Sequence, residues 1–289
     1  MNRYFSLITF ILALAMLMSC EEEGPYINFI PDIVDTSLLD TTYIAVTPVN
    51  PLPKKVLLDE FTGVRCPNCP DAAKKIHEID SIYPGRLIPL AIHMFNNNFA
   101  HPHIPSIDYR TTEGTNLFEL LGKGSLPIGA IDRVKFDSET NTLVRLDKWV
   151  TYFVDRLSTT PYCNIYLSTR PHATEDKTQI ISVKVHYTKA TTEVNFISLA
   201  VVESGLISPQ TQPNGKVDSN YIHNHVLRKI ITNYNGNILS EGAEINRVYE
   251  KEFKLKLSES WKADRLSIIA YIHLNDTKYN VVQVEKINL

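Results

Sequence analysis

Two cysteines with two residues between them are the side chains in this sequence whose spacing points most directly to chemistry. Cys66 and Cys69 stand in VRCPNCPDA, after an apolar run, Val56–Phe61, that predicts a short strand and before a helical repeat over residues 70–83. The unpaired N–H groups and partial positive charge at a helix N-terminus favour a thiolate, which is the nucleophilic form of cysteine. We therefore expect an exposed Cys66 that attacks a disulfide and a Cys69, one turn further in, that releases the partner.

Two other uses of the pair are open. One is a zinc site with His101 and His103 as further ligands, since structural zinc takes four Cys or His ligands. The sequence has one cysteine pair at ligand spacing and lacks a second, so we expect no metal and interpret residues 96–105 as a polar loop. The other is an inert disulfide that closes a small loop. The sequence has neither a phosphate-binding glycine loop nor a Ser-His-Asp order, so we expect no cofactor.

The strand, the acid within it and the cysteine pair together resemble the thioredoxin superfamily. Glu60 stands six residues before Cys66, where that family carries a buried acid. The resemblance implies that Cys66 and Cys69 are catalytic and that Glu60 takes or gives a proton at Cys69. The alternative is that Glu60 points into solvent and that either Asp59 or neither acid has a role.

The same resemblance implies a cis-proline that faces the cysteine pair. Pro127 is the candidate because it opens a predicted strand after a helix, and Leu126 before it would offer backbone hydrogen bonds to an extended substrate. Only about 5% of X–Pro bonds are cis, so this expectation depends on the resemblance. The chain departs from the family before Cys66, where Val64 and Arg65 replace a common tryptophan. Arg65 either favours the thiolate by proximity or lies in solvent.

The N-terminus predicts a bacterial lipoprotein. Residues 1–19 contain an apolar run, Phe5–Met18, that is too short for a bilayer core of roughly 30 Å, which needs about 20 residues. Leu17–Cys20 resembles a lipobox, in which Cys20 would carry the lipid; an ordinary signal peptide is the alternative. Glu21–Glu23 resembles an export signal to the outer membrane, and the alternative is a solvated acidic tail. We expect a lipid-anchored protein of the outer membrane that faces either the periplasm or the outside.

Composition excludes one class of partner and bounds the number of domains. The 29 basic and 32 acidic residues give a net charge of −3 without a basic block, so we expect no nucleic-acid partner. A chain of 289 residues favours two domains. The predicted parts are a signal peptide at 1–19, a lipidated N-terminus and linker at 20–53, and domains at 54–158 and 161–289.

The two predicted domains differ in their patterns. Strands and helices alternate in the first, which predicts an α/β thioredoxin-like fold with strands at 56–61, 87–95 and 127–134 and helices at 70–83, around 117–121 and at 143–157. The second alternates apolar and polar residues along six or seven segments, which predicts an all-β immunoglobulin-like sandwich. Residues 220–231 break that alternation and predict a short helix in a crossover.

Four further side chains have expected roles. Cys163 alternates with core residues, so we expect a buried, unpaired thiol, with a resolving or intermolecular role as the alternative. His93 lies inside an apolar strand and is expected to be partly buried with its hydrogen bonds satisfied. His223 and His225 are expected to form hydrogen bonds in the crossover, and metal binding from a strand is the alternative.

Several short motifs taken together resemble the outer-membrane-protein-28 family of lipoproteins. They are the lipobox and the segments EFTG at 60–63, IDR at 131–133, VESGL at 202–206 and HNHVLR at 223–228. The resemblance implies a thioredoxin-like domain, an immunoglobulin-like sandwich and an outer-membrane location, but no biochemical role. Two hypotheses follow. One is a tethered thiol-disulfide oxidoreductase that acts on cysteine-containing proteins, and the other is a surface binding or adhesion lipoprotein whose Cys66–Cys69 disulfide is structural.

Overall fold

The structure is a computed structural model that describes residues 38–275 and 279–289. The predicted signal peptide, the lipidation site Cys20 and the first part of the linker lie outside the described residues. The helices are α1 (Cys69–Ile82), α2 (Thr112–Leu121) and α3 (Trp149–Leu157), with 3-10 helices at Asn98–Ala100, Leu146–Lys148 and Ala263–Arg265. The strands are β1 (Asp40–Ile44), β2 (Val56–Phe61), β3 (Leu87–Met94), β4 (Arg110–Thr111), β5 (Ile128–Ile131), β6 (Val144–Arg145), β7 (Cys163–Pro171), β8 (Thr178–Tyr187), β9 (Thr191–Glu203), β10 (Leu206–Ile207), β11 (Gln210–Thr211), β12 (Val217–Asp218), β13 (Ile222–His223), β14 (Val226–Ile230), β15 (Asn237–Ala243), β16 (Arg247–Lys256), β17 (Leu266–His273) and β18 (Val281–Asn288).

One large sheet and one smaller sheet organise the described residues. The large sheet has ten strands, of which eight follow the order β18-β17-β9-β14-β3-β2-β5-β6, while β15 pairs with β9 and β4 with β3. Strand β3 pairs in parallel with β2 and with β14, and β2 pairs antiparallel with β5. The smaller sheet has the order β1-β16-β8-β7, and all its pairs are antiparallel.

The predicted fold class, an α/β thioredoxin-like domain followed by a separate all-β immunoglobulin-like sandwich, is wrong. The structure is mostly β-sheet, and the large sheet contains strands from both predicted domains. Strand β14 joins β3 through the register pair Val226 and Ala91, and the Ala91 N–H donates to the His225 carbonyl at 2.8 Å. Local periodicity finds strands but does not identify the edge that each strand joins, so the separation into two folds did not follow from it.

The helix predicted over residues 220–231 is also wrong, because this segment forms β13 and β14. Its apolar residues fit helical spacing, but His225 has a φ of 57°, which interrupts any helix. The segment gains sheet partners on two sides instead, since β14 pairs with both β9 and β3. Tertiary pairing therefore outweighs the local pattern here.

Helix α1 confirms the predicted helix over 70–83 and begins at the second cysteine. Pro70 follows its first residue, where a missing N–H is tolerated. Ala72, Ile76 and Ile79 are buried at helical spacing and pack against strands β2 and β5. The neighbouring Ala73 is exposed.

A buried polar network fixes the junction of β2, β5 and β18. Asp132 is fully buried and lies 2.8 Å from the Lys54 ammonium and 3.1 Å from the Arg156 guanidinium. Its second carboxylate oxygen accepts the Leu57 N–H at 2.9 Å, and its carbonyl accepts the Val281 N–H at 2.7 Å. One residue of the IDR motif, through its side chain and its carbonyl, thus connects segments from both halves of the chain.

Candidate functional site

Cys66 and Cys69 form a disulfide at the start of α1. The pair is three residues apart in sequence with Cα atoms 5.4 Å apart. Cys66 is 1% exposed and Cys69 is 3% exposed. The prediction that Cys66 lies exposed at the tip of the helix is therefore wrong, and the reason lies in two other segments that cover it.

The first covering segment is the loop that contains Phe99. The Arg65 N–H donates to the Phe99 carbonyl at 2.8 Å, which holds the loop against the residues before Cys66. Gly63 makes this approach possible, because a Cβ atom there would lie 2.4 Å from the Phe99 carbonyl oxygen. The glycine of the EFTG motif is thus explained by close backbone packing.

The second covering segment, Leu206–His223, comes from the other half of the chain, and we call it the cover segment. It consists of two short antiparallel ribbons, β10 with β13 and β11 with β12. The Gln210 side chain donates to the carbonyl of Cys66 at 3.0 Å and to that of Gly63 at 3.3 Å. The Thr211 N–H donates to the Val64 carbonyl at 2.9 Å. The peptide groups around the first cysteine are therefore bound by the cover segment.

The candidate zinc ligands serve as hydrogen-bonding groups. His103 Nε2 lies 3.1 Å from both the Val64 carbonyl and the Thr211 hydroxyl, so it joins the cysteine loop to the cover segment. Arg65 donates to the carbonyls of His101 at 3.0 Å and Pro102 at 2.8 Å. Within residues 38–275 and 279–289, no group of three or more His, Cys, Asp or Glu side chains is placed to hold a metal ion.

Glu60 is buried on the same side of the sheet as the second cysteine. It is 4% exposed, so the alternative in which it points into solvent is wrong. Glu60 and Cys69 both line a cavity between the sheet and α1. Burial raises the Glu60 pKa to about 7, partly offset by a hydrogen bond from Thr62. A proton-transfer role for Glu60 stays a prediction.

Three histidines also line this cavity, and burial keeps them neutral. Desolvation lowers the pKa of His93 to about 3 and the pKa values of His223 and His225 to about 4. His223 Nε2 lies 3.2 Å from the Ser208 carbonyl, which confirms its expected hydrogen bond. His93 is 2% exposed and its Nδ1 has no hydrogen-bond partner, so the expected satisfied histidine is wrong.

Leu126 and Pro127 lie where a helix leads into β5. Their peptide bond is cis, as the resemblance implied. Strand β5 begins at the next residue and pairs with β2 through Ile128 and Phe61, which places it beside the strand that leads to the cysteines. Leu126 packs partly buried against the apolar core. A substrate-docking role for Leu126 and Pro127 stays a prediction.

Cys163 is a free thiol with no exposed surface, as predicted. Burial raises its pKa to about 12, and the nearby Lys54 charge opposes the rise. A thiol that stays protonated in the core is a poor nucleophile. Cys163 therefore has a packing role at the start of β7.

Sequence reasoning missed the residues that enclose the disulfide. Gln210 and Thr211 lie more than 140 residues after the cysteines and belong to no motif that would attract attention. Asp59, which the alternative to Glu60 named, is fully buried beside Glu60 and pairs with Arg133. All six residues of β2 are buried. The strand therefore has no alternation of buried and exposed positions that could have indicated the burial of its acids.

The comparisons with solved structures give three matches. HBP35 of Porphyromonas gingivalis is similar to this chain with a TM-score of 0.65 at 17% identity, covering 84% of this chain and 77% of that chain. A protein from Agrobacterium tumefaciens matches with a TM-score of 0.48 at 14% identity, covering 82% and 96% respectively. A domain of the outer membrane lipoprotein Omp28 from Porphyromonas gingivalis matches with a TM-score of 0.31 at 15% identity, covering 45% and 88%. At such identity the HBP35 match supports the fold alone.

Sequence comparison places the chain in a family. No curated protein sequence matches it. The family model described as outer membrane protein Omp28 matches residues 116–289, a range that runs across the predicted domain boundary at 158–161. Among the described residues, no helix is long and apolar enough to cross a membrane. Because the match covers more than half of the sequence, the chain belongs to the Omp28 family of outer membrane proteins, and the predicted outer-membrane location is confirmed.

Proposed function

We propose that this outer-membrane protein is a lipoprotein, tethered through Cys20, that acts by binding a partner, and that its Cys66–Cys69 disulfide is structural. The observation that carries the proposal is the burial of both cysteines beneath the cover segment. Thiol-disulfide exchange needs an attacking thiolate to reach one of the sulfur atoms. A partner protein has no such approach while Gln210 and Thr211 remain bound to the cysteine loop.

The disulfide supports the conformation of a short loop that two distant segments contact. For partners three residues apart, closing the loop stabilises the folded state by about 2 kcal/mol. The loop in turn contacts the Phe99 segment and the cover segment through its backbone. Loss of the disulfide would therefore loosen the packing of both segments.

A thiol assay on the full-length protein tests the structural role. We expect dithiothreitol to reduce the pair only slowly under native conditions, and we expect no turnover in the reduction of insulin. The double variant Cys66→Ser/Cys69→Ser should lower the free energy of unfolding by about 2 kcal/mol. The thiols are counted in a protein that also carries Cys163→Ser, because this substitution removes the buried free thiol. Rapid insulin turnover that depends on Cys66 would contradict the structural role.

The outer face of the cover segment is the proposed binding surface. Ile207 and Ile222 are register partners in the β10–β13 ribbon, and they are 60% and 55% exposed. Val217 in the second ribbon is 49% exposed. Clustered exposed apolar side chains are typical of protein interaction sites.

Cross-linking in isolated outer membranes tests this surface. We expect wild-type protein to give cross-linked species that the double variant Ile207→Ser/Ile222→Ser loses. Ile238→Ser is the matched control, since Ile238 is 57% exposed on a different strand. An unchanged cross-linking pattern in the double variant would exclude the cover segment as the binding surface.

Thiol-disulfide exchange is the second candidate, because Glu60 and Cys69 line one cavity. An acid beside the second cysteine is placed to move a proton when the disulfide opens. This candidate requires the cover segment to move away first. A reduction potential between roughly −120 and −270 mV together with turnover would favour exchange, and a more negative potential without turnover would favour the structural disulfide.

A further inference from the structure

The cavity beside the disulfide is partly open to solvent and has no role in the proposed binding function. It has a volume of about 80 Å³ and lies between the face of the sheet that carries Glu60 and His93 and the apolar side of α1, with the cover segment closing one side. A single water needs roughly 10–15 Å³ of such volume. The cavity therefore has room for a small molecule as well as for water.

The polar groups of the cavity include a buried carboxyl group and two imidazole rings that can accept hydrogen bonds. Among the ion pairs formed by the described residues, none includes Glu60, and its carboxyl group is buried. His223 is neutral and its Nε2 faces the Ser208 carbonyl, so Nε2 carries the proton and Nδ1 is a bare acceptor. The His93 Nδ1 has no partner although the side chain is buried. A buried nitrogen left without a partner, as His93 Nδ1 is, carries a free-energy cost that a hydrogen bond would remove.

We propose that this cavity binds a small primary ammonium ion. Such a ligand brings three N–H donors and one positive charge, which match the carboxylate of Glu60 and the neutral imidazoles of His93 and His223. Ala91 and Ile76, which also line the cavity, offer apolar contact to a short alkyl group. A quaternary ammonium ion of the same charge has no N–H donor and is predicted not to bind.

Binding should depend on pH through Glu60. Its neighbours in the cavity are His93 from β3, Tyr221 and His223 from the cover segment, and His225 beside β14. The histidines stay neutral down to a pH of about 4, so they do not change charge between pH 6 and pH 8. Glu60 loses its proton near pH 7 and then attracts the cation. The affinity should therefore be about tenfold weaker at pH 6 than at pH 8.

Calorimetric titration of the full-length protein with methylammonium chloride at pH 8 tests the proposal. We expect saturable binding, no saturable binding of tetramethylammonium chloride, and at least tenfold weaker binding of methylammonium by Glu60→Gln. Glu241→Gln is the control, because Glu241 is exposed on β15. Absence of saturable methylammonium binding, equal binding of tetramethylammonium, or an unchanged affinity in Glu60→Gln would each overturn the proposal.

Two further measurements keep the test valid if Glu60→Gln folds poorly. Ala91→Val narrows the cavity while it keeps the carboxylate, and it should weaken methylammonium binding as well. In the wild-type protein, carbon-13 NMR of the Glu60 carboxyl group should show that methylammonium lowers its apparent pKa. A Glu60 titration that is unaffected by saturating methylammonium would overturn the proposal without any variant.

Discussion

Arg133 and Asp59 form a bidentate ion pair in the interior of the protein. The Arg133 Nε lies 2.8 Å from one carboxylate oxygen of Asp59, and its Nη2 lies 2.9 Å from the other. Arg133 is 1% exposed and Asp59 has no exposed surface. The same Nη2 donates to the Tyr271 hydroxyl at 2.9 Å, so a strand from the second half of the chain shares the pair.

This ion pair occurs where the two halves of the chain share a core. Asp59 belongs to β2, Arg133 follows β5 in the IDR motif, and Tyr271 belongs to β17. Buried charges are tolerated when they are paired and hydrogen-bonded, and Nε and Nη2 of Arg133 meet both conditions, whereas its buried Nη1 has no hydrogen-bond partner among the described residues. The arrangement explains why the halves do not behave as separate folds.

Removing the arginine should be strongly destabilising. Arg133→Met leaves the Asp59 carboxylate buried without its partner, so we expect the free energy of unfolding to fall by about 3–5 kcal/mol. The double variant Asp59→Asn/Arg133→Met should lose less than the single one, because no uncompensated charge remains. Urea unfolding measures both. Lys75→Met is the control, since it removes an exposed pair with Glu78 and should change stability little. Equal losses in the buried and exposed variants would contradict the prediction.

Local elements were predictable from the sequence, whereas their assembly was not. The strand at 56–61 and the helix after Cys69 follow from apolar spacing and from Pro70, and both occur as expected. The pairing of β14 with β3 joins residues more than 130 positions apart in the sequence. A short sequence pattern cannot predict such a pairing. The predicted fold class is therefore wrong even though many of the long strands were predicted.

The sequence placed the cysteine pair at the start of a helix, but the predicted exposure of Cys66 is wrong. Glu60 and Cys69 line one cavity, and the cis peptide occurs at Pro127. Exposure of Cys66 depends on what covers the helix N-terminus, and here Gln210 supplies that cover from the other half of the chain. A side-chain amide in a polar stretch carries no sign of this role in the sequence.

The hydrogen bonds of Gln210 should control how fast the disulfide is reduced. Gln210→Ala removes the donor to the carbonyls of Cys66 and Gly63, so the cover segment should open more often. We expect dithiothreitol to reduce the Cys66–Cys69 bond several-fold faster, with a loss of stability of about 1 kcal/mol. The measurement is the rate of thiol appearance under native conditions.

A variant elsewhere in the cover segment is the control for this rate. Asn214→Ala changes an exposed turn in which the Asn214 side chain accepts only the Lys216 N–H among its described contacts. Its reduction rate should equal that of the wild type. If Gln210→Ala were also reduced at the wild-type rate, access to the disulfide would not depend on the cover segment.

Glu60 should make the protein less stable as the pH rises through neutrality. In the unfolded chain this carboxyl group loses its proton near pH 4.5, whereas in the folded protein burial holds its pKa near 7. Between these values the folded state binds more protons than the unfolded state, so the free energy of unfolding falls with increasing pH. The full cost is present above pH 7, and it amounts to about 3 kcal/mol.

The variant Glu60→Gln should lose this dependence. Relative to the wild type, its free energy of unfolding should rise by about 3 kcal/mol between pH 4.5 and pH 8, measured by urea unfolding at several pH values. The buried histidines His93 and His223 destabilise both proteins at acid pH, so their effect cancels in the difference. Glu241→Gln, at an exposed position, should follow the wild type throughout. A difference between Glu60→Gln and the wild type that stays constant with pH would mean that the Glu60 carboxyl group titrates as it does in water.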